Sequence, residues 1–162
     1  MKKINTHEQI AKGLSPFQPE SVAIEAGRIM LSRINELLAQ GKSFAFETTL
    51  ATKSYAEKVK FGKENNCSVT LLFFWLQNIE LAKDRVKVRV AEGGHNIPDE
   101  VIERRYLHGI KNLFEIYLPL VDNVWKFDNS NGEHELIMKK NGPKNDTVKV
   151  NLDKYHQLIS VL

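Results

Sequence analysis

Arg85 and Arg89, followed by Arg104 and Arg105, flank the pair Gly93-Gly94 in a pattern suited to phosphate. Residues four apart on a helix are neighbours, so Arg85 and Arg89 share one face of the helix their surroundings predict. Guanidinium groups carry a permanent charge and several donors in a fixed fork. Two arginine-bearing helices joined by glycines are therefore expected to close on a polyphosphate and offset the charge that builds up during group transfer. Each arginine alone reads as solvated surface, and only the grouping carries the expectation. Glu47 ends a short predicted strand, and Thr48-Thr49 follow where the chain turns. At such a strand end, where ligands of open α/β sheets bind, a carboxylate can orient a hydroxyl, accept its proton or help position hydrated magnesium. The two threonines can donate to phosphate or sugar oxygens, while the plainer reading of Glu47 is a cap on the next helix. His95 beside the glycines can bond to a phosphate or cap a helix. His7, His108, His134 and His156 are dispersed and have no zinc-ligand spacing.

A further tripeptide, Gly41-Lys42-Ser43, invites comparison with the end of a phosphate-binding loop. Glu36 stands where the first glycine of GxxxxGK followed by Ser or Thr belongs, and the tripeptide leads from helix to strand, the reverse of the required order. Lys42 is expected to be a surface turn residue.

The elements that must position these residues alternate. A short opening helix is separated from a longer one by Ser15-Pro16-Phe17-Gln18-Pro19, where two prolines restrict the backbone. The second helix is expected from near Glu20, with Val22, Ile29, Met30, Ile34, Leu37 and Leu38 at helical spacing and Gly41 as its stop. Ser43 to Glu47 reads as a strand, and a helix through Tyr55, Val59 and Phe61 follows. Ser68 to Leu76 is almost unbroken in apolar character, as expected of a central parallel strand covered on both faces. Asn78 caps a helix through Lys83, Arg85, Lys87 and Arg89 that ends at Gly93-Gly94. Another, opened near Asn96 or Ile97 with Pro98 in its first turn, runs through Tyr106 and Ile110 to Tyr117. Val121 to Phe127 is a strand, and residues 134–138 and 147–150 form an antiparallel hairpin. The class is α/β.

The 162 residues carry 42% hydrophobic content, enough for one domain with a real core. A formal charge of +3 from 23 basic and 20 acidic residues gives no sign of a nucleic-acid partner. The apolar run from Val69 to Leu76 is much shorter than the roughly 20 residues that span a bilayer, and no apolar stretch follows the opening lysines. No membrane partner and a cytoplasmic location are expected. One cysteine, Cys67, cannot form an internal disulfide.

Several stretches together resemble the zeta-toxin family of P-loop kinases. They are Ile10 to Phe17, Phe46-Glu47-Thr48-Thr49-Leu50, Arg85 to Pro98, Arg104-Arg105-Tyr106 and Phe127-Asp128-Asn129-Ser130, within a likeness from about residue 5 to residue 130. The resemblance implies a P-loop-kinase-like parallel sheet flanked by helices. Characterised zeta toxins use ATP and magnesium to phosphorylate UDP-N-acetylamino sugars. It also implies an acidic residue ahead of Ile10-Ala11 that activates the accepting hydroxyl. Glu8 is the nearest counterpart, a longer carboxylate preceded by Thr6-His7 where the family often has Asn-Ala before Asp. On this basis Glu8, Glu47, Arg85, Arg89 and Arg105 are the expected catalytic residues. Thr48, Thr49, His95 and Arg104 are the expected substrate-binding residues, and no metal ligand is expected.

The family has a first strand, a glycine-rich loop with its lysine and a first helix before the segment matching Glu8, and the residues ahead of Glu8 here do not hold them. The expectation is thus a single truncated zeta-toxin-like domain over 1–162, with 131–162 as a C-terminal appendage containing the hairpin. No cofactor is expected for this chain, against ATP and magnesium for a complete homologue, and catalysis is expected to be impaired. The missing strand would leave an open slot between the strands of Phe44 and Leu72. These strands could close on one another, recruit Met1 to Asn5, or pair with another chain. Three functions follow as expectations: a kinase-derived domain that binds a phosphorylated small molecule, a piece of an intact kinase for a sugar nucleotide or related metabolite, and a non-catalytic module that forms homo-oligomers through its incomplete sheet.

Overall fold

Thr6 sets the first helix. Its hydroxyl accepts the Gln9 N–H at 3.1 Å and the Gln9 side chain accepts the Thr6 N–H at 2.9 Å, a reciprocal cap that satisfies two otherwise orphaned donors. The structure, a computed structural model, describes residues 2–94, 96–142 and 146–162. The chain divides into two compact units, one ending at Thr48 and the other running from Thr49 to Leu162.

In the first unit β1 (Lys2–Lys3) pairs in parallel with β2 (Phe44–Ala45), and the Ile4 N–H extends the ladder to the Ala45 carbonyl at 2.9 Å. Lys2 and Lys3 thus pair with the strand of Phe44, and neither pairs with the strand of Leu72 among the described residues. The strand expected over Ser43 to Glu47 keeps only Phe44–Ala45. Between the strands lie α1 (His7–Leu14), a 3-10 turn at Pro19–Val22 and α2 (Ala23–Ala39). Ala26, Met30, Ile34 and Leu37 bury one stripe of α2, worth roughly 1.5–3 kcal/mol for each large side chain. Gly41, with φ +60°, stops the helix: its N–H meets the Leu38 carbonyl and the Lys42 N–H the Leu37 carbonyl. This left-handed stop needs no Cβ and satisfies the last carbonyls.

In the second unit α3 (Ala56–Glu64) precedes a four-stranded mixed sheet of order β3-β4-β5-β6. β3 (Thr70–Trp75) and β4 (Asn123–Asp128) are parallel, with Leu72 beside Trp125 and Trp75 beside Asp128. β5 (Glu135–Asn141) and β6 (Asp146–Lys149) add the expected hairpin antiparallel to β4. The crossover from β3 to β4 is α4 (Ile79–Ala91) and α5 (Asp99–Asn112), the latter running through a π turn (Leu113–Tyr117) into α6 (Leu118–Leu120). Trp75, Ile110, Ile137, Met138 and Leu158 form the core cluster, with Tyr106, Phe114 and Tyr155 packed on it.

Three features depart from the sequence reading. A final helix, α7 (Leu152–Ile159), is capped by Asn151 and buries Leu158 in this core. β3 is an edge strand, and only one of its faces is covered: Leu72 and Phe74 remain 50% and 46% exposed. The covered face also holds a cation. Lys126 is fully buried, its Nζ 3.9 Å from the Phe114 ring centre and 5.3 Å from that of Tyr155, with no hydrogen-bond acceptor among the described residues. No helix among the described residues is long and apolar enough to cross a membrane.

Candidate functional site

In each unit a parallel strand leads at its C-terminal end towards candidate residues, the region where ligands of α/β sheets bind. In the first unit the chain leaves β1 into α1, whose first turn carries Glu8, and leaves β2 towards Glu47 and Thr48. A carboxylate in a first helical turn is favoured by the helix dipole, and Glu8 also lies 3.8 Å from Lys12. Glu47 is exposed and pairs with Lys3 at 2.9 Å. An exposed pair of this kind holds loosely in water, which leaves the carboxylate open to exchange partners.

The second unit begins with Thr49, and three groups from the long helix hold the turn that presents it. Gly109 lies so close that an added Cβ would sit 2.5 Å from the Thr49 carbonyl oxygen. Asn112 Nδ2 donates to the Leu50 carbonyl at 2.8 Å, and the Tyr117 hydroxyl to the Thr52 carbonyl at 2.9 Å. Between them Leu50 is buried in the left-handed region at φ 57°, a conformation that costs a bulky residue roughly 1 kcal/mol and persists only when its neighbours enforce it. Burial, and then the neighbouring Tyr55, push the Tyr117 hydroxyl up to about 12, so it is a permanent donor.

The arginines sit on α4 and α5. Asn78 Oδ1 caps α4 by accepting the Leu81 N–H at 2.8 Å, as expected. The helix ends at Gly93, φ +90°, where the Gly93 N–H reaches the Val90 carbonyl and the Gly94 N–H the Arg89 carbonyl at 2.8 Å. The glycine pair is thus a closed helix stop of the same kind as at Gly41. Lys83 joins the two arginine-bearing helices: its Nζ lies 2.7 Å from Glu103 of α5 and 3.0 Å from Glu80 of α4. The hydrogen bond to Glu103, then that to Glu80, raises the Lys83 amine further above its ordinary value. Tyr106 fixes α5 to the end of β3 by donating to the Leu76 carbonyl at 2.7 Å. Arg104 and Arg105 are exposed on α5, while Arg85 and Arg89 are half-buried on α4. Arg85 donates through Nη2 to the carbonyl of Asn129. His95 lies outside the described residues.

Sequence reasoning quoted Asp128, Asn129 and Ser130 without giving them a role, and it passed over Lys154. Asp128 is nearly buried at the end of β4 and holds Ser130 and Lys154. An aspartate ending an apolar strand before Asn-Ser, residues that favour turns, was the available signal.

The nucleotide and magnesium implied by the resemblance require a nest of backbone N–H groups, a lysine and a metal-binding hydroxyl. At the β3 end the connection to α4 is Leu76-Gln77-Asn78 without glycine. The Gln77 N–H already donates to Ser130 Oγ at 2.9 Å. Among the described residues no group of three or more His, Cys, Asp or Glu is placed to hold a metal. The donors present do not fit magnesium-ATP in the manner of a phosphate loop. The guanidinium groups of Arg104 and Arg105 on α5 are exposed.

No protein-family model matches the chain. It is 31% identical over 99 residues to an uncharacterized protein of Haemophilus influenzae, a match covering 61% of this chain and 71% of that protein. Its fold is similar to that of a chain from the PezAT chromosomal toxin-antitoxin system of Streptococcus pneumoniae, with a TM-score of 0.56 at 14% identity. The likeness covers 90% of this chain and 56% of the other, so this chain spans little more than half its neighbour's length. The fold is therefore of the zeta-toxin, P-loop-kinase-like kind.

Proposed function

This chain belongs to the same family as the Haemophilus influenzae protein, and we propose that it is a zeta-toxin-like domain, derived from an ATP-dependent small-molecule kinase, that binds a phosphorylated small molecule and transfers phosphate weakly or not at all. The observation that carries this reading is the pairing of α4 with α5 through Lys83, which sets two arginine-bearing helices side by side with Arg104 and Arg105 open to solvent. Arg104 and Arg105 supply the anion contacts, and Arg85 and Arg89 of α4 add positive charge beside them. Glu8 and Glu47 take the acceptor-orienting roles of the family, and Thr48, Thr49 and His95 bond to phosphate or sugar oxygens. The impairment follows from the 162 residues lacking any GxxxxGK followed by Ser or Thr, since phosphoryl transfer is almost entirely positioning and charge stabilisation. A longer protein containing such a loop would be a complete kinase for a sugar nucleotide or related metabolite.

Calorimetric titration tests the reading with pyrophosphate and UDP-N-acetylglucosamine as probes. Binding should weaken about tenfold for each of Arg104→Gln and Arg105→Gln, a loss of about 1.4 kcal/mol apiece. ATP turnover should stay at background with or without magnesium. Magnesium-dependent phosphorylation by this chain would remove the proposed impairment, and equal binding by the double variant would remove the anion site.

A second reading rests on β3. Its residues Thr70 to Trp75 carry no charge, its outer edge pairs with no described strand of its unit, and Leu72, Phe74 and Trp125 are exposed side by side. Natural edge strands are usually protected by charge, proline or a bulge. A neutral edge is complementary to a second copy of itself about a two-fold axis, so the chain would also act as a self-associating module. Sedimentation across a concentration series should show a dimer that Leu72→Lys dissociates. A monomer at every concentration defeats this reading and leaves the anion site untouched.

A further inference from the structure

Asp128 connects two helices that the sequence keeps far apart. On one side its Oδ2 accepts from Lys154 of α7 at 2.5 Å, and Glu135 accepts from the same amine at 2.7 Å. On the other its Oδ1 accepts the Ser130 N–H at 2.8 Å and the Ser130 hydroxyl at 2.5 Å. The oxygen of that hydroxyl accepts the Gln77 N–H at 2.9 Å, at the entrance to α4. Asn129 lies between. Its N–H is held by the Trp75 carbonyl at 2.8 Å, and its own carbonyl takes the guanidinium of Arg85. Asp128 itself is 4% exposed. Burial alone would raise the Asp128 carboxyl, but the hydrogen bonds from Lys154 and Ser130 outweigh it and hold the group below its ordinary value. The carboxylate is therefore charged at neutral pH.

We infer that Asp128 and Lys154 are positioning residues for Arg85, so that the C-terminal helix sets where α4 presents its charge, and that Arg85 anchors α4 while Arg104 and Arg105 meet the anion. A guanidinium already committed to a backbone carbonyl, itself locked between two strand ends, is placed to hold a helix. Loss of the Lys154 amine leaves a buried carboxylate without its counter-charge, which costs more than the bond itself. The carboxylate then draws in a proton or water, Ser130 loses its fixed acceptor, and the Asn129 carbonyl no longer stands where Arg85 expects it. The anion-binding half of this inference rests on the proposed function; the Arg85 half does not.

Nuclear magnetic resonance of the full chain separates the two. In the wild type the Arg85 guanidinium protons should exchange slowly in the absence of ligand. Lys154→Met should abolish that protection while α7 stays folded by its apolar contacts, and Lys154→Arg should restore it. Ser130→Ala, which leaves α7 untouched, should abolish it too. Titrated pyrophosphate should shift the Arg104 and Arg105 signals and leave that of Arg85 in place, with affinity about tenfold lower in Lys154→Met. Unchanged Arg85 protection in both Lys154→Met and Ser130→Ala overturns the positioning role, as does a direct shift of the Arg85 signal by pyrophosphate. If pyrophosphate shifts nothing in the wild type, the anion reading fails and protection of Arg85 alone decides the positioning role.

Discussion

Lys126→Met should unfold at a higher denaturant concentration than the wild type at pH 7, by about 3 kcal/mol. The Lys126 amine is buried, faces two aromatic rings and has no hydrogen-bond acceptor among the described residues. Stacking a cation on rings returns about 1 kcal/mol, less than the charge loses by leaving water. Burial, with a smaller contribution from the charge of Lys149, lowers the amine from 10.5 to about 7. The Lys149 amine also stands over the Tyr155 ring, 4.2 Å from its centre. The folded chain thus releases this proton near pH 7, whereas the unfolded chain keeps it until about 10.5. Between those values the unfolded chain binds more protons, so wild-type stability should climb with pH across the window and lie flat below it. Methionine matches the length of the buried stem and removes both the penalty and the climb. Denaturant unfolding at pH 7 and pH 10 measures both. A Met variant no more stable than wild type at pH 7 would mean that the amine has a partner that offsets its burial.

The same residue shows where sequence reading stops. Lys126 lies within a run of alternating character, Val124-Trp125-Lys126-Phe127-Asp128, and an alternating strand is ordinarily read with its charges outward. In β4 the alternation is inverted: Val124, Lys126 and Asp128 are buried and Trp125 is 42% exposed. The register is legible only from the partner strands, since Trp125 lies beside Leu72 and Lys126 beside Met138. β3 posed the reverse problem. With both faces apolar it has no alternation to read, so a strand with one exposed face looks the same as a fully covered one.

Helix ends were far more legible, because their chemistry is local. Asn78 caps with its own side chain, as Thr6 and Asn151 also do at ends the sequence reading did not assign, and Gly41 and Gly93 supply the left-handed stops. Asn66, at φ 60°, does the same for α3. α7 was missed although Tyr155, Leu158 and Val161 recur at intervals of three, because a short terminal amphipathic segment gains most of its stability from the core it covers. The candidate site divides in the same way. Arg104 and Arg105 are exposed on a helix, as their spacing suggests. The partner of Arg85 is a backbone carbonyl and leaves no mark in residue types.

Gly109→Ala should destabilise the chain by about 2–3 kcal/mol and loosen the turn that presents Thr49. By helix propensity alone the change should help by up to about 1 kcal/mol, since glycine is among the worst residues for a helix interior. Propensity loses here because the new Cβ would stand 2.5 Å from the Thr49 carbonyl oxygen, a backbone atom that no rotamer change can move aside. Either α5 or the turn must retreat. The turn cannot do so freely: Leu50 is held at φ 57° by its burial, and its carbonyl is bonded to Asn112 at 2.8 Å. Retreat therefore strains or breaks that bond and the neighbouring one from Tyr117 to Thr52, at about 1 kcal/mol each. Gly13 provides the control. It lies in α1 with no atom within 4 Å of an added Cβ, so Gly13→Ala should stabilise by about 0.5–1 kcal/mol. Opposite signs for the two variants in denaturant unfolding would show that close approach, and not chain entropy, retains glycine at 109. Equal stabilisation of both would mean that the Thr49–Leu50 turn yields without cost, and that α5 does not hold it.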